Sequence, residues 1–557
     1  MSLGTGSPIR HLGAAICFSA ALFLGWCCTE SPVQGQGQGK PPGVAAGQGT
    51  SSSTPPLSAA QRKVAEQRAR AAAGRPGEAF QGWDKPAIVL VLTGEQQGYL
   101  EPCGCTENQA GGLARRMDLF HQMWQRGWST MAVDVGGNLN KDRLTRDQAK
   151  LKLDFFRKAS QMMKYKAWGL GIEELKLTAD NLFALHSEWS VEEGYVPFVS
   201  ANVTIFGSRD IGMPKEFQIV DAGGVRFGIT SIVGKSDPHP DNGVNRIPEF
   251  AGVDPNLLKI DPPESVLPGV IQKMKAQGAQ ILILLAHAGE EESKALAPGF
   301  DIVVTASGPE DPVRKEQRVG TTLYVEPGMK GKHAPCVAIY NRGGKPVVGA
   351  FELVELDRDR FKNAPEMTQL MRDYQQRIEM ERPDSAHEMP FDSAQRDLKF
   401  VGVDQCKDCH KQAFEVWKNT RHAFATQSLS HGRADEPKEY VVDRQFDPEC
   451  VACHATGWHP QRAVRLTSGF VDLKTTPELA GQQCENCHGP GSAHVTLERA
   501  FAKDKKVTKE LTASREALMN TRDCEDCHDH DNSPHFDFDK YWNGEDGRTP
   551  VKHYGKN

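Results

Sequence analysis

The chain has 557 residues, with 66 Lys and Arg against 72 Asp and Glu and a net charge of −6 at pH 7. That length exceeds one ordinary domain and predicts two or three. The mild acidity excludes a nucleic-acid binder, which needs a basic stripe.

In chain order, Arg10 and His11 precede an apolar run from Leu12 to Trp26. This is the length of a signal-peptide core and short for a membrane span, so residues 1–28 are expected to direct export. Cys27 and Cys28 close the run and are candidate acylation sites; Gly25-Trp26-Cys27 ahead of Cys28 is the slightly better fit. A lipoprotein, a cleaved soluble protein and an uncleaved anchor all remain open. Residues 29–83 start as a tether rich in Gly, Gln, Ser and Pro, a composition that buries too little apolar surface to offset chain entropy. Good helix formers over 58–74 predict a short exposed helix within it.

From residue 84 to 358 the pattern changes. Ala87–Leu92 is a continuous apolar run, as in a strand buried on both faces. Similar runs occur at Thr130–Val135, Phe198–Val203, Val225–Val233, Gln280–Ala286, Phe300–Thr305, Thr322–Val325 and Cys336–Tyr340. Helical stretches at Leu113–Gln125, Gln148–Met163 and Pro263–Gln277 separate several of them, which predicts an α/β domain. Residues 359–399 are expected to connect it to the last third of the chain, mainly through one amphipathic helix over 364–382 that Pro383 stops.

The last third carries four Cys-x-x-Cys-His pentapeptides: Cys406–His410, Cys450–His454, Cys484–His488 and Cys524–His528. This is the attachment signature of c-type haem. The thiols of Cys406, Cys409, Cys450, Cys453, Cys484, Cys487, Cys524 and Cys527 would tether four haems c. His410, His454, His488 and His528 would each bind one iron. Paired cysteines also ligate structural zinc, but zinc leaves the histidine after every second cysteine unexplained and fits poorly with export. Residues 400–557 are therefore expected to be a haem domain with few apolar runs of its own. Two axial histidines favour electron transfer and an open position permits substrate chemistry. Second-ligand candidates are His422, His431, His459, His494, His530, His535 and His553.

The segments CKDCHKQAFEVWKNTRHAFA (406–425), CVACHATGWHP (450–460), CENCHGPGSAH (484–494) and SPHFDFDKYW (533–542) resemble the tetrahaem cytochrome c-554 family of ammonia oxidisers. The resemblance implies a mostly helical fold with closely packed haems that shuttle electrons in the periplasm. It implies that His422 serves the third haem and that His494 reaches back to the first. The fourth would take His553, with His535 as second choice. The second haem, at His454, is implied to have no distal partner.

AIVLVLTGEQQGYLEPCGCTENQAGGLAR (87–115), Ala132–Gly137, Gly169–Leu175, Ser200–Val203 and Leu284–Gly289 resemble the 5′-nucleotidase branch of calcineurin-like metallophosphoesterases. That resemblance implies an α/β sandwich with a two-metal site at its strand ends. The ligands are largely missing. Glu95 and Gln97 stand at the Asp and His of the first motif, and Gly137 replaces the bridging Asp. Gly171 and Ile172 replace an Asn-His pair, and Thr305-Ala306-Ser307 replaces the last His motif. Only Asp134 and His287 keep ligand-type side chains, too few for a dinuclear site. Cys103 and Cys105 suit a soft metal or a disulfide; Cys336 is expected to be an unpaired buried thiol.

The expected architecture is thus multidomain: a metallophosphoesterase-like α/β sandwich followed by a mostly helical multihaem cytochrome c domain. The expected function is periplasmic or membrane-anchored electron transfer with redox partner proteins and no nucleic acid, the α/β domain docking or sensing. The alternatives are an oxidoreductase acting on a small nitrogen or sulfur compound at an open haem, and a metal-dependent phosphohydrolase. No catalytic residue is singled out.

Overall fold

The structure, a computed structural model, describes residues 78–102, 110–139, 146–240, 245, 250, 253–384, 387–392, 397–432, 438–519, 522–545 and 547–553. The export segment, the tether with its helix over 58–74, and Cys103 and Cys105 lie outside the described residues.

The strands in chain order are β1 (Ile88–Thr93), β2 (Thr130–Asp134), β3 (Tyr165–Trp168), β4 (Val203–Ile205), β5 (Gln218–Ala222), β6 (Val225–Val233), β7 (Leu258–Ile260) and β8 (Ile281–His287). They continue as β9 (Ile302–Thr305), β10 (Gln317–Val319), β11 (Thr322–Val325), β12 (His333–Arg342), β13 (Lys345–Glu355), β14 (Glu388–Met389), β15 (Trp458–His459) and β16 (Val464–Leu466). One sheet has the order β13-β12-β1-β2-β3 and a second β10-β11-β9-β8-β6-β5. Strands β1, β2 and β3 of the first sheet are parallel, as are β11, β9, β8 and β6 of the second.

Alternation within each strand builds the layers. Ile88, Leu90 and Leu92 join Phe227, Ile229, Ile283 and Leu285 in a core between the sheets. Val89 and Val91 face the opposite way, into a cluster with Phe120, Phe155 and Tyr374. Leu282 and Leu284 do the same on the far side, against Leu267, Val270 and Met274 of the helix Pro263–Ala276. The outcome is a helix–sheet–sheet–helix sandwich, and it explains the continuous apolar runs: central strands here are buried on both faces.

Two edge strands carry no such run. β13 and β5 are the outer members of hairpins closed by Gly343-Gly344 and Gly223-Gly224, and their faces are only partly buried. The strand expected over Phe198–Val203 is reduced to isolated bridges at Phe198 and Val199, and β4 begins at Val203. Buried Asn202 takes over the pairing there, donating to the Val233 and Asp261 carbonyls at 2.7 and 2.8 Å.

The connector forms the helix Pro365–Glu381, with Pro at its first turn where the missing N–H costs nothing. Tyr374 on it packs edge-on to Phe155, ring centroids 5.7 Å apart. Beyond it the chain makes short helices, among them Lys411–Trp417, Ala425–His431, Pro448–His454, Cys484–His488 and Ser492–Asp504, and the small sheet β14-β16-β15. Its apolar core is a small cluster around Phe400, Leu429, Val451, Trp458, Leu466, Phe470 and Leu479. No helix among the described residues is long and apolar enough to cross a membrane.

Candidate haem-binding site

The four Cys-x-x-Cys-His motifs, dispersed over more than a hundred residues, all line one cavity of about 2310 Å³. A pocket for a single cofactor holds at most ~1,000 Å³, so this void is on the scale of several large planar groups. No disulfide joins any of the eight motif cysteines. Cys406 of the first motif is in hydrogen-bond contact with Cys484 of the third, and Cys453 of the second with Cys527 of the fourth. The first and third motifs are therefore neighbours, as are the second and fourth.

Three of the four motif histidines face a second imidazole across the cavity. Ring centroids lie 6.3 Å apart for His410 and His494, 6.1 Å for His422 and His528, and 6.1 Å for His488 and His553. Two imidazoles on one metal ion, each with a metal–nitrogen distance of ~2 Å, place their centroids ~6 Å apart. The spacing fits an ion between the rings.

The partners differ from expectation in two cases. His422 lies opposite His528 of the fourth motif, not His488 of the third. Its backbone is fixed by Gln482 N–H on the His422 carbonyl at 2.9 Å and by Trp417 Nε1 on the Gln482 carbonyl at 2.7 Å. The next turn is pinned to the second motif by Thr426 Oγ1, which donates to the His454 carbonyl at 2.6 Å. His553 lies against His488 of the third motif, because Lys552 N–H on the Trp542 carbonyl at 3.1 Å folds the tail back there. His535 is exposed and does not line the cavity. His494 faces the first motif as expected.

Local hydrogen bonds orient the motif imidazoles. His454 Nδ1 is 2.8 Å from the Ala425 carbonyl, His488 Nδ1 2.7 Å from the Leu518 carbonyl, and His528 Nδ1 2.9 Å from Ser533 Oγ. A proton held on Nδ1 leaves Nε2 with its lone pair available to a metal. Burial holds His422, His454 and His494 below the ordinary histidine range and pushes His528 down to about 4, so these rings are neutral. Among the described residues no histidine ring stands opposite His454 at the spacing of the other three. Ala425, Leu518, Ser533 and Thr426 lie outside the motifs, and no local pattern marks them as orienting groups in the sequence.

At the strand ends of the sandwich the expected metal ligands are replaced by a close-packed carboxylate and imidazole cluster. Asp134 accepts from Thr93 Oγ1 at 2.6 Å and from Gly136 N and Asn138 Nδ2 at 2.9 Å. Glu174 accepts from the backbone of Gly137, Asn138 and Gly171 at 3.1, 2.7 and 2.8 Å. Burial, with Glu173 adding repulsion, pushes its carboxyl up to about 7. His287 Nε2 accepts from Ile172 N at 3.2 Å and lies 3.6 Å from Glu173, while its Nδ1 lies 3.7 Å from Glu95. His239 is 3.5 Å from the other Glu95 oxygen. Gly137 has φ +73°, and a Cβ there would sit 2.2 Å from Glu95 Oε1; one on Gly171 would sit 2.7 Å from Glu174 Oε2. Protein carboxylates thus fill the space from which two ligand side chains would project. Among the described residues no group of three or more His, Cys, Asp or Glu is arranged to hold a metal ion.

Residues 405–489 match the family described as "Cytochrome c554 and c-prime". The carboxy-terminal module contains a cytochrome c554 domain. Cytochrome c-554 of Nitrosomonas europaea is 32% identical over 143 residues, which is 24% of this chain and 58% of that protein. The chain therefore spans somewhat over half the length of this relative. The structure is also similar to a 5′-nucleotidase precursor from Thermus thermophilus at 20% identity and TM-score 0.43, covering 53% of this chain and 59% of that one. A third similarity is to the calcineurin-like phosphoesterase YfkN of Bacillus subtilis at 17% identity and TM-score 0.39, covering 52% of this chain and 96% of that one.

The cytochrome c554 domain packs directly on the strand-end loops of the sandwich. Arg444 grips Glu101 through both carboxylate oxygens. Buried Lys152 bridges the Gly98 carbonyl and Glu449, next to Cys450. Asp447, which caps the helix carrying the second motif, accepts from Gln148 at 2.9 Å and from Gln375 at 2.8 Å. Residues Gln97–Pro102 of the sandwich line the cavity together with the motifs.

Proposed function

We propose that this protein is an exported electron-transfer protein with four haems c, held by the four cysteine pairs. His410/His494, His528/His422 and His488/His553 would be the axial pairs, and His454 the sole protein ligand of the second iron. Haem c, when bound, supplies one-electron exchange at its iron. The observation that carries the reading is the set of three imidazole pairs at metal-bridging separation around one cavity lined by every motif. Contact between first and third and between second and fourth motif thiols favours closely spaced groups, which electron transfer needs. The sandwich would serve as a docking or sensing module for redox partner proteins. Export, lipid anchoring and a periplasmic location rest on residues 1–28. The test is a haem count and spin-state count on purified holoprotein: four haems, three low-spin and one high-spin, are expected. Fewer covalent haems, or four of one spin state, would refute the assignment.

A second reading is favoured by one observation: among the described residues, no ring stands opposite His454. An open position there would let the protein act on a small nitrogen or sulfur compound. Carbon monoxide binding to one of four ferrous haems is the expected sign, and no binding would remove this reading. Phosphohydrolase chemistry finds little support in the donor set, because Gly137 and Gly171 replace ligands and Glu95 and Glu174 occupy their space. Elemental analysis should find iron and no second metal in stoichiometric amount.

A further inference from the structure

The turn after the fourth motif joins the two domains. Asn532 donates to Asp529 at 2.7 Å through its backbone and Ser533 N donates to the Asp529 carbonyl at 2.8 Å, so 529–533 is one closed turn. One end of that turn is Ser533 Oγ, 2.9 Å from His528 Nδ1. On the same turn Asp531 leaves the cytochrome c554 domain and is held by the sandwich. Tyr99 Oη donates to Asp531 Oδ2 at 2.6 Å, and Lys330 Nζ pairs with Oδ1. Burial alone would raise the Asp531 carboxyl, but these two donors hold it below the usual range, so it is a charged, fixed partner. Lys330 is in turn steadied by Glu310 at 2.9 Å, and its backbone N–H donates to the Glu95 carbonyl at 2.7 Å. Glu95 belongs to the carboxylate and imidazole cluster at the strand ends.

We propose that Tyr99 and Lys330, acting through Asp531 and Ser533, position the His528 imidazole, so that the α/β sandwich sets the reduction potential of the fourth haem. The inference rests on His528 being an iron ligand, and it gives the sandwich a role beyond docking. A hydrogen bond from Nδ1–H to Ser533 makes the imidazole a stronger donor and stabilises the oxidised iron. A slack 529–533 turn weakens that bond and raises the potential. Tyr99 and Lys330 act through Asp531 and Ser533 and are positioning residues.

The test is spectroelectrochemical titration of full-length holoprotein. Cys524→Ser/Cys527→Ser identifies the wave of the fourth haem by its loss. Ser533→Ala removes the acceptor directly. Tyr99→Phe removes one hydroxyl without changing charge, and Lys330→Met/Asp531→Asn removes the ion pair with no change in net charge. All three should raise that one potential, by up to a tenfold change in the oxidised-to-reduced ratio at fixed potential, which is ~59 mV for one electron. The other waves should stay put, and Lys330→Arg should restore the native value. If Ser533→Ala moves the wave and the Tyr99 and Lys330 variants do not, or if all waves move together, the proposal is overturned. A haem count that does not fall in the Cys524/Cys527 variant overturns the ligation reading and the proposal with it. A count that falls beside an unmoved wave overturns the proposal alone.

Discussion

Glu485 lies inside the third motif, between Cys484 and Cys487, yet its carboxylate works for the first. It is 3% exposed and accepts from the backbone of Val401, Gly402 and Gly491 at 3.0, 2.8 and 2.7 Å. Val401 and Gly402 lead into Cys406, and Gly491 leads into the helix Ser492–Asp504 that carries His494. One carboxylate therefore sets both imidazoles of the His410/His494 pair. Glu485→Ala leaves three N–H groups without acceptors. A hydrogen bond to a charged group contributes ~1.5–3 kcal/mol; with partial relaxation and water entry the loss should be about 4 kcal/mol, a large share of a typical total stability. Denaturant unfolding followed by circular dichroism should show the lower midpoint. The same variant should convert one low-spin haem to high spin as His494 drifts. Glu485→Gln keeps one acceptor oxygen and should lose about half as much. An unchanged midpoint with an unchanged spin count would refute this role for Glu485.

His494→Ala should convert one haem of the holoprotein from low to high spin, while His535→Ala leaves all four as they are; electron paramagnetic resonance reads both. Glu174 gives a pH signature: its carboxyl is raised to about 7 in the fold from an ordinary 4.5, so it contributes stability that is complete below the unfolded value and is lost as pH rises through the folded one. Stability should fall by ~3 kcal/mol between about pH 4.5 and 7 from this group, and Glu174→Gln should flatten that part of the melting profile. At the domain interface, Lys152→Met should cost ~3 kcal/mol, since it leaves buried partners of a charge unsatisfied. Glu101→Gln, at a half-exposed pair with Arg444, should cost no more than ~1 kcal/mol; chemical denaturation distinguishes the two.

Legibility in the sequence followed burial. Val225–Val233 and Thr322–Val325 were readable to the residue because both faces of these central strands are buried, leaving an uninterrupted apolar run. β5 and β13 were not, because edge strands in glycine hairpins mix exposed and buried positions and contain residues such as Pro346 and Gly349. The four Cys-x-x-Cys-His motifs were legible because the pattern is local in sequence. The pairing of the other histidines with the motif histidines was not. It depends on Gln482 holding the His422 backbone and on the Trp542 carbonyl catching Lys552, contacts that no local pattern encodes.

The strand-end cluster has to balance several buried carboxylates with few cations. Two divalent ions would balance several carboxylates; without them, Glu95, Glu173, Glu174 and Asp134 share a buried region with Arg116 the cation acting on Asp134. Such a group cannot hold all its negative charges in a low-dielectric site. Part of the balance comes from backbone N–H donors, three on Glu174 alone, and part from protons, since burial raises Glu174 and Asp134. Gly137 and Gly171 are consistent with this: their missing side chains let Glu95 and Glu174 approach the N–H groups and His287. The end of the sandwich so formed meets the cytochrome c554 domain through Tyr99 on Asp531 and Glu101 on Arg444, while the Gly98 carbonyl holds Lys152, whose ammonium reaches Glu449. The strand-end loop Gln97–Pro102 is thereby covered by the carboxy-terminal module, which shares the cavity it lines.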